Sequence, residues 1–173
     1  MQRLIEDFLE IQKLEYGAIS FNIRTVELSP LIREVLESNQ AYSNRRKVTL
    51  VLVTDLPNSF VKVDPDRLAQ VLSNLISNGV KHSSSKAQVE IGISRHGSML
   101  RVHVKDHGPG IPDAFRQEIF KKFSREANEI YKDGSGLGLS ISKAIIEKMG
   151  GTIQLGQDQN GAIFYFDLPE VHL

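Results

Sequence analysis

The chain has no cysteine, which excludes a disulfide framework and thiolate metal sites and is compatible with a reducing compartment. It has no net charge, with 21 Lys and Arg against 21 Asp and Glu, so no overall field draws it to nucleic acid or an anionic membrane. It has no run approaching the ~20 apolar residues that span a bilayer, and its acidic, amphipathic start is not of the signal-peptide type. Internal repeats and low-complexity tracts are missing as well. What is present is 173 residues, 40% of them apolar and 24% charged, the composition of a soluble globular protein with room for a real core.

The patterning predicts a run of short elements. Met1, Leu4, Phe8 and Ile11 repeat at helical spacing, and Ile5, Leu9 and Leu14 widen the stripe into an amphipathic helix that stops near Gly17. Such a helix is too short to be stable alone. Residues 1–17 are therefore read as the C-terminal part of the second helix of a longer hairpin, and residues 18–173 as a separate unit; a helix packing back on its own domain is the alternative. Phe21 to Val26 suggests a strand. Ser29 caps a helix with Pro30 at its first position, and Val48 to Val53 reads as a buried strand. A turn at Leu56-Pro57-Asn58 precedes a second cap-then-proline signal at Asp64-Pro65. Val89, Ile91 and Ile93 then alternate against Leu100, Val102 and Val104 around a bend at His96-Gly97.

Phe115, Ile119, Phe120 and Phe123 mark a short helix, and the stretch from Ser124 to Ser135 has the charged, irregular composition of a loop. A helix from Leu137 to Met149 ends at Gly150-Gly151, and a closing hairpin turns at Asn160-Gly161. Strands and helices without strict βαβ alternation point to a two-layer α/β sandwich, a mixed sheet covered by helices on one face and preceded by a helical stub.

Three stretches carry chemistry. On the helix after Pro65, Leu68, Val71, Leu72 and Leu75 form the inward face, and Asn74, Asn78 and Lys81 fall within about 60° of one another beside it. Asparagine is a poor interior helix residue. The plain reading is a polar border on a surface helix; the functional one is a row of oxygens for Mg²⁺ with an ammonium for phosphate. Asp106 continues the inward phase of Leu100, Val102 and Val104, so its carboxylate needs a donor, either in its own turn or in a ligand. Gly108-Pro109-Gly110 turns tightly after it. Gly134, Gly136 and Gly138 lie where the charged loop enters a helix, where backbone N–H groups can approach an anion. Their spacing fits neither a Rossmann fingerprint nor a Walker loop.

In this order, Asn74-Leu-Ile-Ser-Asn78-Gly-Val-Lys81, Asp106-His-Gly108-Pro-Gly110 and Gly134-Ser-Gly136-Leu-Gly138-Leu139 resemble the nucleotide pocket of the catalytic domain of sensor histidine kinases. That domain belongs to the GHKL ATPase superfamily, shared with type II topoisomerases, a heat-shock chaperone and a mismatch-repair protein. The resemblance covers nearly the whole chain and implies the Bergerat ATP-binding fold with ATP and Mg²⁺ as ligands. It implies that Asn78 holds the metal, Asn74 supports the site, Lys81 meets the phosphate tail and Asp106 accepts from the adenine amine. His82 stands where the family usually has an aromatic. Gly108, Gly110 and Ile111 extend the adenine side, and Ser135, Gly136, Leu137, Gly138 and Leu139 form the phosphate-side edge. Phe120 and Phe123 match a pair of lid-anchoring phenylalanines that also suit a core. Arg125 matches an arginine near the transferred phosphate, and Phe164 is a candidate for packing beneath the nucleotide. The implied catalytic set is Asn74, Lys81 and Arg125.

The same resemblance implies the partners: a phosphoacceptor histidine on a dimerising hairpin, a homodimer in the full-length protein, and the receiver domain of a response regulator. It implies a cytoplasmic location without nucleic-acid or membrane contact by this segment. Superfamily members that hydrolyse ATP carry glutamate where Asn74 stands, and an asparagine cannot take a proton from water. A kinase is thus favoured over a free-running ATPase. An anti-sigma-type serine kinase is the alternative, opposed by the helical start, and a module that has lost nucleotide binding is a third reading. None of His82, His96, His103, His107 and His172 has the sequence setting of a phosphoacceptor, so the chain is expected to bind Mg·ATP without phosphorylating itself.

Overall fold

Seven strands form one mixed sheet whose inner face is covered by helices. The computed structural model describes residues 2–124 and 135–173. The strands are β1 (Arg24–Glu27), β2 (Thr49–Thr54), β3 (Phe60–Val63), β4 (Gln88–His96), β5 (Met99–Lys105), β6 (Thr152–Leu155) and β7 (Ile163–Val171). They lie in the order β1-β3-β7-β5-β4-β2, with β6 pairing β7 beside β3. Every pairing is antiparallel except β2 with β4. The helices are α1 (Gln2–Glu15), α2 (Leu28–Arg45), α3 (Pro65–His82), the four-residue α4 (Asp113–Arg116) and α5 (Gly138–Lys148).

Strict alternation explains the two faces of the sheet. Val89, Ile91 and Ile93 on β4, Leu100, Val102 and Val104 on β5, and Phe164, Phe166 and Leu168 on β7 are buried together with Leu68, Val71, Leu72 and Leu75 of α3. The core predicted for α3, β4 and β5 is the observed one. The opposite face is polar: Arg101 grips Asp167 through two parallel bonds of 2.7 and 2.8 Å and lies 3.9 Å from the centre of the Tyr165 ring.

Asp64 starts α3 as expected. Its side chain accepts from the N–H groups of Asp66 and Arg67 at 3.1 and 3.2 Å, and Pro65 takes the first helical position. Burial alone pushes this carboxyl up, but the N–H groups of Asn22, Arg67 and Asp66 outweigh it and hold Asp64 below the usual carboxylate range.

Other boundaries moved. Ser29 is not a cap: α2 begins at Leu28, which is fully buried and donates its N–H to the Ser59 carbonyl, so Glu27 takes the cap position and Pro30 falls later in the first turn. The strand expected from Val48 to Val53 is not buried; β2 is the sheet's edge, and its far end is exposed. β3 was not foreseen, being four residues squeezed between a turn and the α3 cap. The short helix expected through Phe123 stops at Arg116. The closing connection runs from 156 to 162, longer than a two-residue turn, although Gly161 does adopt a positive φ of 125°.

α1 is docked on one side and bare on the other. Ile11 and Leu14 are buried against the domain beside α5, and Glu10 bonds both Arg67 and Gln70 of α3. Leu4, Ile5, Phe8 and Leu9 remain exposed. Half of the apolar stripe thus packs on the domain, while Leu4, Ile5 and Leu9 of the other half face outward.

Candidate functional site

The three motifs converge along α3. Near its C-terminal end, Gly79 brings the helix close to the end of β5: a Cβ there would lie 3.2 Å from Val89 and 3.6 Å from the Asp106 side chain. Three residues on, the His82 carbonyl packs so closely over Gly108 that any side chain at 108 would collide with it. About 7.5 Å back along the axis, the Asn74 amide meets the first turn of α5 at Gly138, where a Cβ would strike its Oδ1. One helix thus spans from the Asp106 loop to the glycine-rich entry of α5.

Asp106 is 5% exposed and is held by its surroundings rather than left bare. Its Oδ1 accepts from Gly108 N–H at 2.9 Å and from Ala162 N–H at 3.1 Å, while its own N–H donates to the Ala162 carbonyl. Both donors engage Oδ1, and Oδ2 takes neither. The first bond is the turn-closing role weighed from the sequence; the second, from the β6–β7 loop, was not foreseen. That loop is tied down by Lys105 to Asp158 at 2.7 Å and by Arg116 to the Gly156 carbonyl. Gly161 within it packs against the Asp106 backbone, where a Cβ has no room.

At the other end, Asn74 Nδ2 donates to Ser142 Oγ at 2.9 Å, and Ser142 Oγ donates to the Gly138 carbonyl at 2.9 Å. Asn78 is half-buried one turn beyond Asn74, and Lys81 is half-buried one turn beyond that. Among the described residues no side chain caps the first turn of α5, and Ser135 Oγ accepts from the Leu137 N–H just before it.

The remaining expected residues divide. Gly110 adopts a positive φ of 78°, and Ile111 is half-buried. His82 is exposed and ends α3. Leu137 is fully buried and gives its N–H to Ser135 Oγ, so its side chain belongs to the core and not to a ligand surface. Gly136 and Leu139 are half-buried beside it. Phe164 is a core residue with Phe120 edge-on at 6.1 Å. Phe123 departs from the core role: it is 54% exposed, has a φ of 59° and stacks on Phe8 of α1 at 6.4 Å. Arg125, Gly134 and Met1 lie outside the described residues.

Among the described residues no cluster of three His, Cys, Asp or Glu side chains could hold a metal. The donor set that fits Mg²⁺ is instead the amide oxygens of Asn74 and Asn78, since this ion takes few protein oxygens and completes its shell with water and phosphate. Ser142 occupies the nitrogen end of the Asn74 amide, which leaves the oxygen end for that purpose. A cleft of about 440 Å³ opens elsewhere, between α2 and the start of α3, and shares no residue with the motifs.

A buried acid beside a tight glycine turn, two amides in line and an uncapped helix start define a nucleotide-binding α/β sandwich. Residues 63–172 match the family described as histidine kinase-, DNA gyrase B- and HSP90-like ATPase, and the chain belongs to that family. It is 33% identical over 173 residues to the adaptive-response sensory kinase SasA of Synechocystis sp., covering 98% of this chain and 45% of that protein. Full-length ShkA, solved in complex with AMPPNP, superimposes with a TM-score of 0.85 at 27% identity over 99% of this chain and 36% of that one. Histidine kinase ThkA in complex with the response regulator protein TrrA superimposes at 0.79, with 30% identity over 98% of this chain and 48% of that one. The chain thus spans less than half the length of each of these relatives. The same likeness bears out the two-layer architecture read from the sequence.

Proposed function

We propose that the chain is the catalytic unit of a sensor histidine kinase, binding Mg·ATP and delivering its γ-phosphoryl group to a histidine on a dimerising hairpin. The observation that carries this reading is that α3 touches both other motifs, with Gly79 against Asp106, the His82 carbonyl over Gly108 and the Asn74 amide against the α5 entry at Gly138. The likeness to SasA, to AMPPNP-bound ShkA and to the ThkA–TrrA complex supports both the ligand class and a receiver domain as the later phosphate recipient.

In this reading Asp106 Oδ2 accepts from the adenine amine while Oδ1 stays with its own loop. Gly108, Gly110 and Ile111 leave the flat space beside it. Asn78 and Asn74 supply oxygens to Mg²⁺, which when bound neutralises the triphosphate. Lys81 meets the phosphate tail, and the N–H groups at the start of α5, with Gly136 and Ser135 before it, face the same charge. Arg125 is assigned to the transferred phosphate on resemblance alone. Asn74 cannot deprotonate water, so the nucleotide is held for a protein nucleophile. Residues 1–17 are the end of the hairpin and residues 18–173 the catalytic domain, and the full-length protein is a cytoplasmic-facing homodimer.

Calorimetric titration with Mg·ATP tests the proposal. Asp106→Ala and Asn78→Ala should each weaken binding by roughly tenfold or more, the scale of a lost hydrogen bond to a charged group. Undiminished affinity in either variant would overturn it.

A further inference from the structure

Ser142 carries a constraint on the site that reaches beyond its own helix. It lies in α5, is 1% exposed and touches Asn74 of α3 from 68 residues away in sequence. A hydroxyl has one proton, and Ser142 gives it to the Gly138 carbonyl at 2.9 Å. With that proton committed, its oxygen can meet Asn74 only as an acceptor, so the group facing it is the amide nitrogen, at 2.9 Å. An amide has one donor end and one acceptor end. Fixing the nitrogen fixes the oxygen, which is turned toward the backbone of Gly138, where a Cβ would run into it.

An unheld asparagine has a broad, roughly two-fold terminal torsion and can present either end. A nitrogen end turned toward a divalent cation would oppose it with the partial positive charge of two N–H bonds. We infer that Ser142 is a positioning residue for phosphoryl transfer, locking the Asn74 amide with its oxygen toward the metal and phosphate end of the site. The inference rests on the kinase reading above. It also assigns Gly138 a second role: its missing side chain makes room for the oriented oxygen as well as for a ligand.

The test compares Ser142→Ala, Ser142→Val and Ser142→Thr with the wild type, using AMP-PNP as the probe with and without Mg²⁺. Threonine keeps the hydroxyl and its bond to the carbonyl one turn back, whereas valine keeps the shape and loses both. Valine and alanine should weaken Mg·AMP-PNP binding roughly five- to tenfold, the cost of one hydrogen bond, while threonine stays within about twofold. Without Mg²⁺ the four proteins should bind AMP-PNP alike. The side-chain amide protons of Asn74, protected and shifted in the wild type, should become solvent-like in the alanine and valine variants and recover in threonine. Thermal melting reports whether each variant folds, and the valine–threonine pair keeps shape constant where alanine destabilises. If the wild type binds and Asn74→Ala weakens binding, but folded Ser142→Val matches the wild type in affinity and amide signal, the Ser142 role is overturned and the kinase reading stands. If the wild type fails to bind Mg·AMP-PNP, both fall together.

Discussion

At the scale of single residues, Asp106 commits one carboxylate oxygen to its own loop, which in the proposed reading leaves the other for a ligand. The loop oxygen depends on Ala162, and Ala162 depends on the chain passing Asp106 at Gly161 with a φ of 125°. Gly161→Ala is therefore expected to destabilise the fold by more than ~1 kcal/mol, since L side chains are strained at that φ and the Cβ meets the Asp106 backbone. Urea denaturation measures the loss, and an unchanged midpoint would refute the account. On the outer sheet face, burial pushes His103 below its ordinary value of 6.5; the nearby Glu90 charge opposes this and Lys105 adds to it. The folded state then binds its proton less readily than the unfolded state, so this residue's contribution to stability is lost as pH falls through 6.5 and below. Denaturation between pH 7.5 and 5.5 should show a steeper decline for the wild type than for His103→Gln. Equal slopes would sink the assignment.

At the scale of elements, caps and alternation were legible and packing partners were not. Asp64-Pro65 marked the start of α3 because a cap is a local affair of a side chain and the N–H groups two and three residues on. The β4–β5 hairpin was legible for the same reason, its period of two matching the pleat. Ser29-Pro30 carried a similar signal but yielded, because burying Leu28 and pairing its N–H with Ser59 started the helix sooner. In α1 the periodicity showed an apolar stripe without saying what covers it. The docked half predicts that Leu14→Ala costs about 2–4 kcal/mol, whereas Ile5→Ala on the bare half costs under ~0.5 kcal/mol. Urea melts of the two variants check this, and equal losses would mean the whole helix is docked.

At the scale of the whole molecule, the proposed reading makes the chain a nucleotide holder that phosphorylates no residue of its own. His82 ends α3, His96 sits at a hairpin bend, His103 faces the outer sheet surface, His107 pairs with Glu90 at 2.9 Å and His172 lies past β7. None of the five lies on α1, the helix read as part of the hairpin. Incubation with γ-labelled ATP should leave this chain without acid-labile, alkali-stable label. Label that survives on the isolated chain would place an acceptor within it. Among the described residues no helix is long and apolar enough to cross a membrane.

The amino-acid sequence by itself determined which residues make up the candidate site: the in-line amides on α3, the inward acid at the end of β5, the glycines before α5 and the capped start of the central helix. These are written in spacing and residue type, which act over a turn of helix or a step of strand. Tertiary structure alone decided who holds them. Ser142 and Ala162 reach Asn74 and Asp106 from 68 and 56 residues away, one through a common hydroxyl and the other through a backbone N–H that every non-proline residue owns. Leu137 and Phe123 were likewise placed by the fold, one drawn into the core and the other turned out against α1. Donors so generic leave no mark in a sequence, and only the packing of α3 against the sheet and against α5 makes them specific.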